Sequence, residues 1–153
     1  FSDDHVARTT VVTAEDTTLT YENRLTGGGG RVLRVPQTSE QHLDLHAALR
    51  RLGQNGPSPE TGDSRAPRPV QSLLVEAGPG LSTVLFKQDL VDRYFCFIAP
   101  KVSGEGTPVT GDLGTREMRD ALTFAETRWE PVGEDMLLRA YCRPVGAVRR
   151  EDD

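Results

Sequence analysis

The chain is short of the residues that usually announce a function. Its 153 residues include two cysteines, three histidines and one tryptophan. Two cysteines cannot build a disulfide framework. Cys96 and Cys142 each fall among apolar neighbours in an expected strand, which points to buried free thiols and a reducing compartment. His42 and His46 lie four apart, on one face of an expected helix. A zinc-protease pattern needs a glutamate directly after the first histidine, and no third ligand is in view, so these are read as exposed helix histidines and no metal site is expected. No apolar run is long enough for a signal peptide or a membrane span, which leaves the cytoplasm as the default location and no membrane partner. Basic residues number 18 against 23 acidic ones, for a formal net charge of -5, and they are scattered apart from Arg149-Arg150. That balance argues against nucleic acid as a partner, although one pocket can still be locally positive and hold an anion.

What is present suits one domain. The hydrophobic fraction of 36% is modest, so a single core with long polar loops is expected over residues 1–148, followed by a polar tail over 149–153. Thr9 to Thr13 has the β-branched density of a short buried strand. Thr18 to Leu25 reads as a short helix or a loop. The run Gly27 to Gly30 lacks the Lys-Ser or Lys-Thr of a phosphate loop and reads as a flexible connection. Arg31 to Val35 alternates as the next strand, closed by Pro36. Thr38 to Gln41 offers caps to a helix carrying Leu43, Leu45, Ala48, Leu49 and Leu52 and ended by Gly53. Residues 54–69 are rich in Pro, Gly, Ser and charge and read as a surface-loop insertion.

The organising stretch is Val70 to Leu85. An apolar run, Leu73-Leu74-Val75, stops at Glu76, and Ala77-Gly78-Pro79-Gly80 then leads into small and apolar residues. The pattern predicts a buried strand, a tight glycine turn and a helix. Gly78 and Gly80 carry no Cβ, so a ligand can come close to the backbone. Pro79 suits a first helical turn, where its missing N–H costs nothing. The first amides of that helix would lack partners, and with the helix dipole behind them they favour a phosphate or pyrophosphate. Further on, Arg116 to Asp120 is expected to make one helical turn. Leu122 to Pro131 and Asp135 to Arg143 read as an antiparallel pair around Val132-Gly133-Glu134, with Trp129 packed on the sheet. Tyr94, Phe95 and Phe97 alternate along a strand as core or interface residues.

Three motifs occur in order: VEAGPGL at 75–81, Leu90-Val91-Asp92, and an aromatic strand running into Ile98-Ala99-Pro100-Lys101 and Gly104-Glu105-Gly106. Together with Leu138-Arg139-Ala140-Tyr141, this series resembles the reductase domain of the riboflavin-biosynthesis deaminase/reductase proteins (RibD type). The resemblance implies an α/β, dihydrofolate-reductase-like fold: a mixed, mainly parallel sheet flanked by helices, with an antiparallel C-terminal strand pair. The front strands of that fold are expected to be missing, because the likeness begins near Arg8, in the middle of the family's domain. It also implies NADPH-dependent reduction of the ribosyl group of 5-amino-6-(5-phosphoribosylamino)uracil to the ribityl chain, a homodimer, and a deaminase domain upstream in a parent chain.

The resemblance likewise assigns roles. Gly78, Pro79, Gly80, Leu81, Ser82, Thr83 and Val84 match the cofactor-binding turn and helix start, and Glu76 matches a substrate-binding glutamate. Thr13 matches a strand end beside the cofactor's ribose or phosphate, though by itself it reads equally well as a hydroxyl bonded to local backbone. No catalytic acid or base stands out, as expected where the cofactor carries the hydride. Two alternatives stay open: a non-catalytic nucleotide-binding or assembly module of the same fold, and a related pyrimidine or dihydrofolate reductase.

Overall fold

In a computed structural model, residues 5–18, 20–55 and 69–146 are described. Most of the expected insertion and all of the expected tail lie outside them. The chain divides into two units, Phe1–Val75 and Glu76–Asp153.

The first unit is built on strand β1, Thr10–Ala14, and strand β2, Arg31–Val35, paired in parallel from Thr10 opposite Arg31 to Ala14 opposite Val35. Parallel neighbours need a long crossover, and here it contains helix α1, Glu22–Gly27. A second helix, α2, spans Leu45–Asn55, and both helices pack against β2. Leu25 and Val35 are fully buried, with Val6, Ala14 and Ala48 around them in the unit's core. The cap of α2 is Asp44, whose Oδ1 accepts from the Ala47 amide at 2.8 Å. The helix therefore starts later than the sequence suggests and runs past Gly53. His42 precedes it, beside the isolated bridge of Gln37 with Leu43, so His42 and His46 do not share a helical face.

The glycine run proves to be a helix terminus. After Gly28 closes α1, Gly29 takes φ 84°. Its amide donates to the Thr26 carbonyl and the Gly30 amide to the Leu25 carbonyl, both at 2.9 Å. This is the paired bonding of a Schellman motif, with glycine at the left-handed position. A Cβ on Gly30 would lie 2.4 Å from Leu25 Cδ1 and 2.9 Å from its carbonyl oxygen. Packing, as well as backbone freedom, fixes this residue.

The second unit holds helix α3, Pro79–Lys87, and strands β3, Arg93–Ile98, β4, Glu126–Val132, and β5, Asp135–Tyr141. The strands form an antiparallel sheet in the order β3-β5-β4. The expected late pair thus gains a third member, and parallel pairing among the described residues is confined to β1 and β2. Gly133, with φ 62°, begins the two-residue turn between β4 and β5, where a hairpin favours glycine. Met118–Asp120 makes the expected single turn, as a 3-10 helix.

The end of α3 repeats the motif that ends α1, without glycine. Asp89 takes φ 52°. Its amide donates to Phe86 at 3.1 Å, and the Leu90 amide donates to Leu85 at 2.9 Å. Leu85 and Leu90 are both buried. Arg143 then fastens this corner, with ion pairs of 3.1 Å to Asp89 and 3.0 Å to Asp92.

One face of the sheet carries Tyr94, whose ring meets Phe86 edge-on at 5.9 Å and stacks on Phe124 at 5.5 Å. Burial first, and then the Cys96 thiol, push its phenol from 10.0 up to about 12. Since the folded value is the higher one, this contribution to stability is complete below pH 10 and is lost as the pH rises towards 12. Cys96 and Cys142 are free thiols, as expected, but only half-buried. Burial raises the Cys142 thiol pKa, with Asp89 adding to the effect.

Two expectations for the strands fail. Leu73-Leu74-Val75 forms no strand, and Leu74 is 79% exposed. Among the described residues no strand offers the segment a ladder, and an apolar run without one has nothing to bury against. Trp129 is 53% exposed, so the sheet does not cover it.

The cap at Gly30 makes a direct prediction. Gly30→Ala should cost about 1–3 kcal/mol through overpacking. Gly27→Ala, where a Cβ meets nothing within 4 Å, should be neutral or stabilise by up to about 1 kcal/mol. Urea midpoints of the two variants measure the contrast, and equal midpoints would contradict the packing argument.

Candidate functional site

The sequence places its site on α3, and the structure shows how that helix begins. Gly78 is the N-cap, with φ -70° and ψ 173°, and Pro79 is the first helical residue. The first amide to find a helical acceptor is that of Ser82, which donates to the Gly78 carbonyl at 3.1 Å. Pro79 has no N–H. The Gly80 and Leu81 amides therefore stand without acceptors among the described residues, as helix geometry requires of a first turn. No acidic residue lies in that turn, so no carboxylate within it competes with a ligand for the positive end of the dipole.

Steric room accompanies the free amides. A Cβ built on Gly78 or Gly80 would meet nothing within 4 Å, and neither residue has a positive φ. The fold itself does not demand glycine at either place. Gly78, Gly80 and Leu81 are exposed. Unpartnered donors, open space and no nearby acid in the turn are what an anionic phosphate group requires, so these residues fit the pyrophosphate of a dinucleotide.

The two hydroxyls are partly committed. Ser82 Oγ lies 3.4 Å from the Ala77 carbonyl, at the limit of a hydrogen bond. Thr83 Oγ1 donates to the Pro79 carbonyl at 2.5 Å and accepts from the Gly111 amide at 2.7 Å. Val84 is half-buried on the same helix. Glu76 is exposed, two residues before the N-cap. It lies at the end of an irregular segment, not at the carboxyl end of a strand as expected. Thr13 belongs to the first unit and is only 8% exposed, which leaves little of it for a ligand to touch.

Sequence reasoning missed the loop contact at Thr83 and the Arg143 clamp. Thr83 and Gly111 lie 28 positions apart, and no periodic pattern links a helix residue to a loop residue at that distance. The one available signal was the glycine content of the loop. There Gly114 has φ 81°, and its amide donates to Asp112 Oδ1 at 2.7 Å.

Comparison with known proteins bears on the family and the fold. The model of the RibD C-terminal domain family matches residues 63–138. The riboflavin biosynthesis protein RibD of Aquifex aeolicus is 39% identical over 69 residues, covering 45% of this chain and 19% of the relative. RibD of Escherichia coli is 31% identical over 109 residues, covering 71% of this chain and 26% of the relative. The chloroplastic riboflavin biosynthesis protein PYRR of Arabidopsis thaliana is 35% identical over 77 residues, covering 48% of this chain and 13% of the relative. The chain thus spans about a quarter or less of the length of these relatives. Among solved structures, Acinetobacter baumannii RibD, form 1, aligns with a TM-score of 0.58 at 17% identity, over 86% of this chain and 36% of that one. That likeness bears on the fold, which is the α/β, dihydrofolate-reductase-like fold of RibD. Through residues 63–138, the segment that contains the open start of α3, the chain belongs to the RibD C-terminal domain family.

Proposed function

We propose that this chain is the reductase part of a riboflavin-biosynthesis enzyme and uses NADPH to reduce the ribosyl group of 5-amino-6-(5-phosphoribosylamino)uracil. The observation that carries the reading is the first turn of α3, where the Gly80 and Leu81 amides lack acceptors among the described residues and Gly80 is present without a structural need. When bound, the coenzyme supplies the hydride. The protein's task is then to fix two ligands side by side and exclude water, which is compatible with a site that has no acid–base pair.

In this reading Gly80 and Leu81 donate to the pyrophosphate, with Gly78 and Pro79 setting the turn and Ser82, Thr83 and Val84 forming the wall behind it. Glu76, exposed and close to that turn in sequence, accepts hydrogen bonds from hydroxyls of the opened sugar and holds the reacting carbon towards the coenzyme. A deaminase domain upstream in a parent chain would supply the deaminated pyrimidine. The working form is a homodimer. Support for it comes from the second unit's sheet, where the β3-β5 and β4-β5 registers set Ile98, Met136 and Trp129 on one face, all three exposed.

NADPH oxidation with the deaminated phosphoribosylaminopyrimidine, followed by absorbance on this chain and on any longer parent polypeptide, tests the reading. Turnover is expected, and Glu76→Gln should lower kcat/KM about 10- to 100-fold, as expected for losing a charge-assisted hydrogen bond. Coenzyme binding without turnover in either protein would favour the non-catalytic module. Gly80→Ala separates ligand from fold: helix propensity should raise stability by up to about 1 kcal/mol, while the added methyl weakens coenzyme binding. If binding is unchanged, the cradle lies elsewhere. Light scattering should give twice the chain mass of 16.8 kDa, and Trp129→Glu should return it to a monomer.

A further inference from the structure

Thr83 is an unusual member of a phosphate cradle, because its hydroxyl is already engaged twice. A threonine hydroxyl has one proton to give. Here that proton goes to the Pro79 carbonyl, back along the helix, at 2.5 Å. The oxygen meanwhile accepts the Gly111 amide at 2.7 Å. Gly111 comes from the long connection between β3 and β4, and its approach to Thr83 is close. A Cβ on Gly111 would lie 3.2 Å from Thr83 Oγ1, tighter than most side chains tolerate. Its backbone has no positive φ, so contact with Thr83, not dihedral strain, is what favours glycine there.

The contact belongs to a longer seam. Leu113, Thr115, Asp120 and Leu122 of the same connection line a small cavity of about 130 Å³ against Phe86 and Lys87, the last turn of α3. Within the loop, the Asp112–Gly114 turn gives the segment its own local order. The connection therefore runs along α3 from its first turns to its last. Its attachment nearest the open amides is the single hydrogen bond at Thr83.

We propose that Thr83 is a positioning residue that tethers the 107–116 loop, through Gly111, as a side wall beside the first turn of α3. It acts on the coenzyme through that loop and donates no proton to a phosphate. The claim rests on the coenzyme reading given above and deepens it. A loop with no helix or strand of its own over this length is held by few contacts, so one well-made hydrogen bond sets how much of the time the wall is in place. Loop order and coenzyme binding then favour each other, since each needs the other's partner ordered at the same corner.

Two measurements on the full chain test the tether. The first uses no coenzyme: amide hydrogen exchange at Gly111. Thr83→Val, which keeps the shape and removes the hydroxyl, should speed Gly111 exchange about 5- to 10-fold, the factor one neutral hydrogen bond sets. Thr83→Ser should restore the wild-type rate. The second is NADPH affinity. Thr83→Val and Gly111→Ala should each weaken it by a similar factor, and the double variant by no more than either alone, because both break one contact. A direct phosphate donor at Thr83 behaves differently: Thr83→Val would weaken NADPH while Gly111 exchange stays at the wild-type rate, and Gly111→Ala would add to the loss. Either result overturns the proposal. If Thr83→Val fails to fold, Thr83→Ala, which also removes the hydroxyl, takes its place in both measurements, and the same faster Gly111 exchange and the same non-additivity with Gly111→Ala are required. Failure of the wild-type chain to bind NADPH at all would be a failure of the coenzyme reading, seen before any variant is made. The exchange experiment is independent of it.

Discussion

The two amides at the start of α3 that have no acceptor among the described residues are the constraint on which the second unit turns. A helix cannot satisfy its own first donors, and this one does not borrow a side-chain cap either, because its N-cap is a glycine with nothing to offer. The other end of the same helix is treated in the opposite way. There a Schellman motif closes the last carbonyls, buried Leu85 and Leu90 accompany it, and Arg143 holds Asp89 and Asp92 from the end of the sheet. Asp89 bears a left-handed backbone that glycine would adopt more easily. In return it provides a carboxylate for Arg143. A helix anchored firmly at its C-terminus can leave its N-terminus unsatisfied without fraying from both ends.

Holding α3 in this way also fixes what lies along it. Phe86 meets Tyr94 on the sheet, and Phe124 stacks on the same ring, so α3, β3 and the approach to β4 share one aromatic cluster. The connection between β3 and β4 then passes back along the helix to Thr83. An anion arriving at the open turn would find one wall made of helix and one made of loop. Both trace back to the same few contacts in the second unit.

Local chemistry was legible in the sequence, and pairing was less so. Strand β2, both late strands and the start of α3 at Pro79 were readable because alternation, a glycine turn and a proline at the first helical position each leave a pattern within a few residues. Leu73-Leu74-Val75 misled because apolar character shows that a segment needs burial, not that a partner strand is available to provide it. The start of α2 was misplaced for a similar reason. Thr38 to Gln41 carries good capping residues, but they were spent on a tight turn in which Gln41 takes φ 61°, and Asp44 became the cap. Glu76 and the open amides were legible as a motif. The tether from Gly111 to Thr83 was not, since only the folded chain brings those positions together.

The two glycine clusters show why a glycine motif needs a structure to be interpreted. Read as sequence, Gly27 to Gly30 has the greater glycine density but lacks the Lys-Ser or Lys-Thr of a phosphate loop, whereas Gly78-Pro79-Gly80 opens a helix. In the folded chain the first cluster is accounted for from inside: Gly29 supplies a left-handed dihedral, and Gly28 and Gly30 lie too close to Val6 and Leu25 for any Cβ. Gly27 has room for a Cβ, and it lies in the last turn of α1, where a helix presents carbonyls and not free amides. At Gly78 and Gly80 the position is reversed, with ordinary dihedrals and empty space where a Cβ would go. At position 80 glycine weakens the chain's own helix slightly and brings the fold no benefit in exchange, whereas at Gly78 it is an ordinary N-cap residue. A residue that costs stability and answers no internal need leaves room for an external partner, and the free amides at this corner have the chemistry to receive an anion.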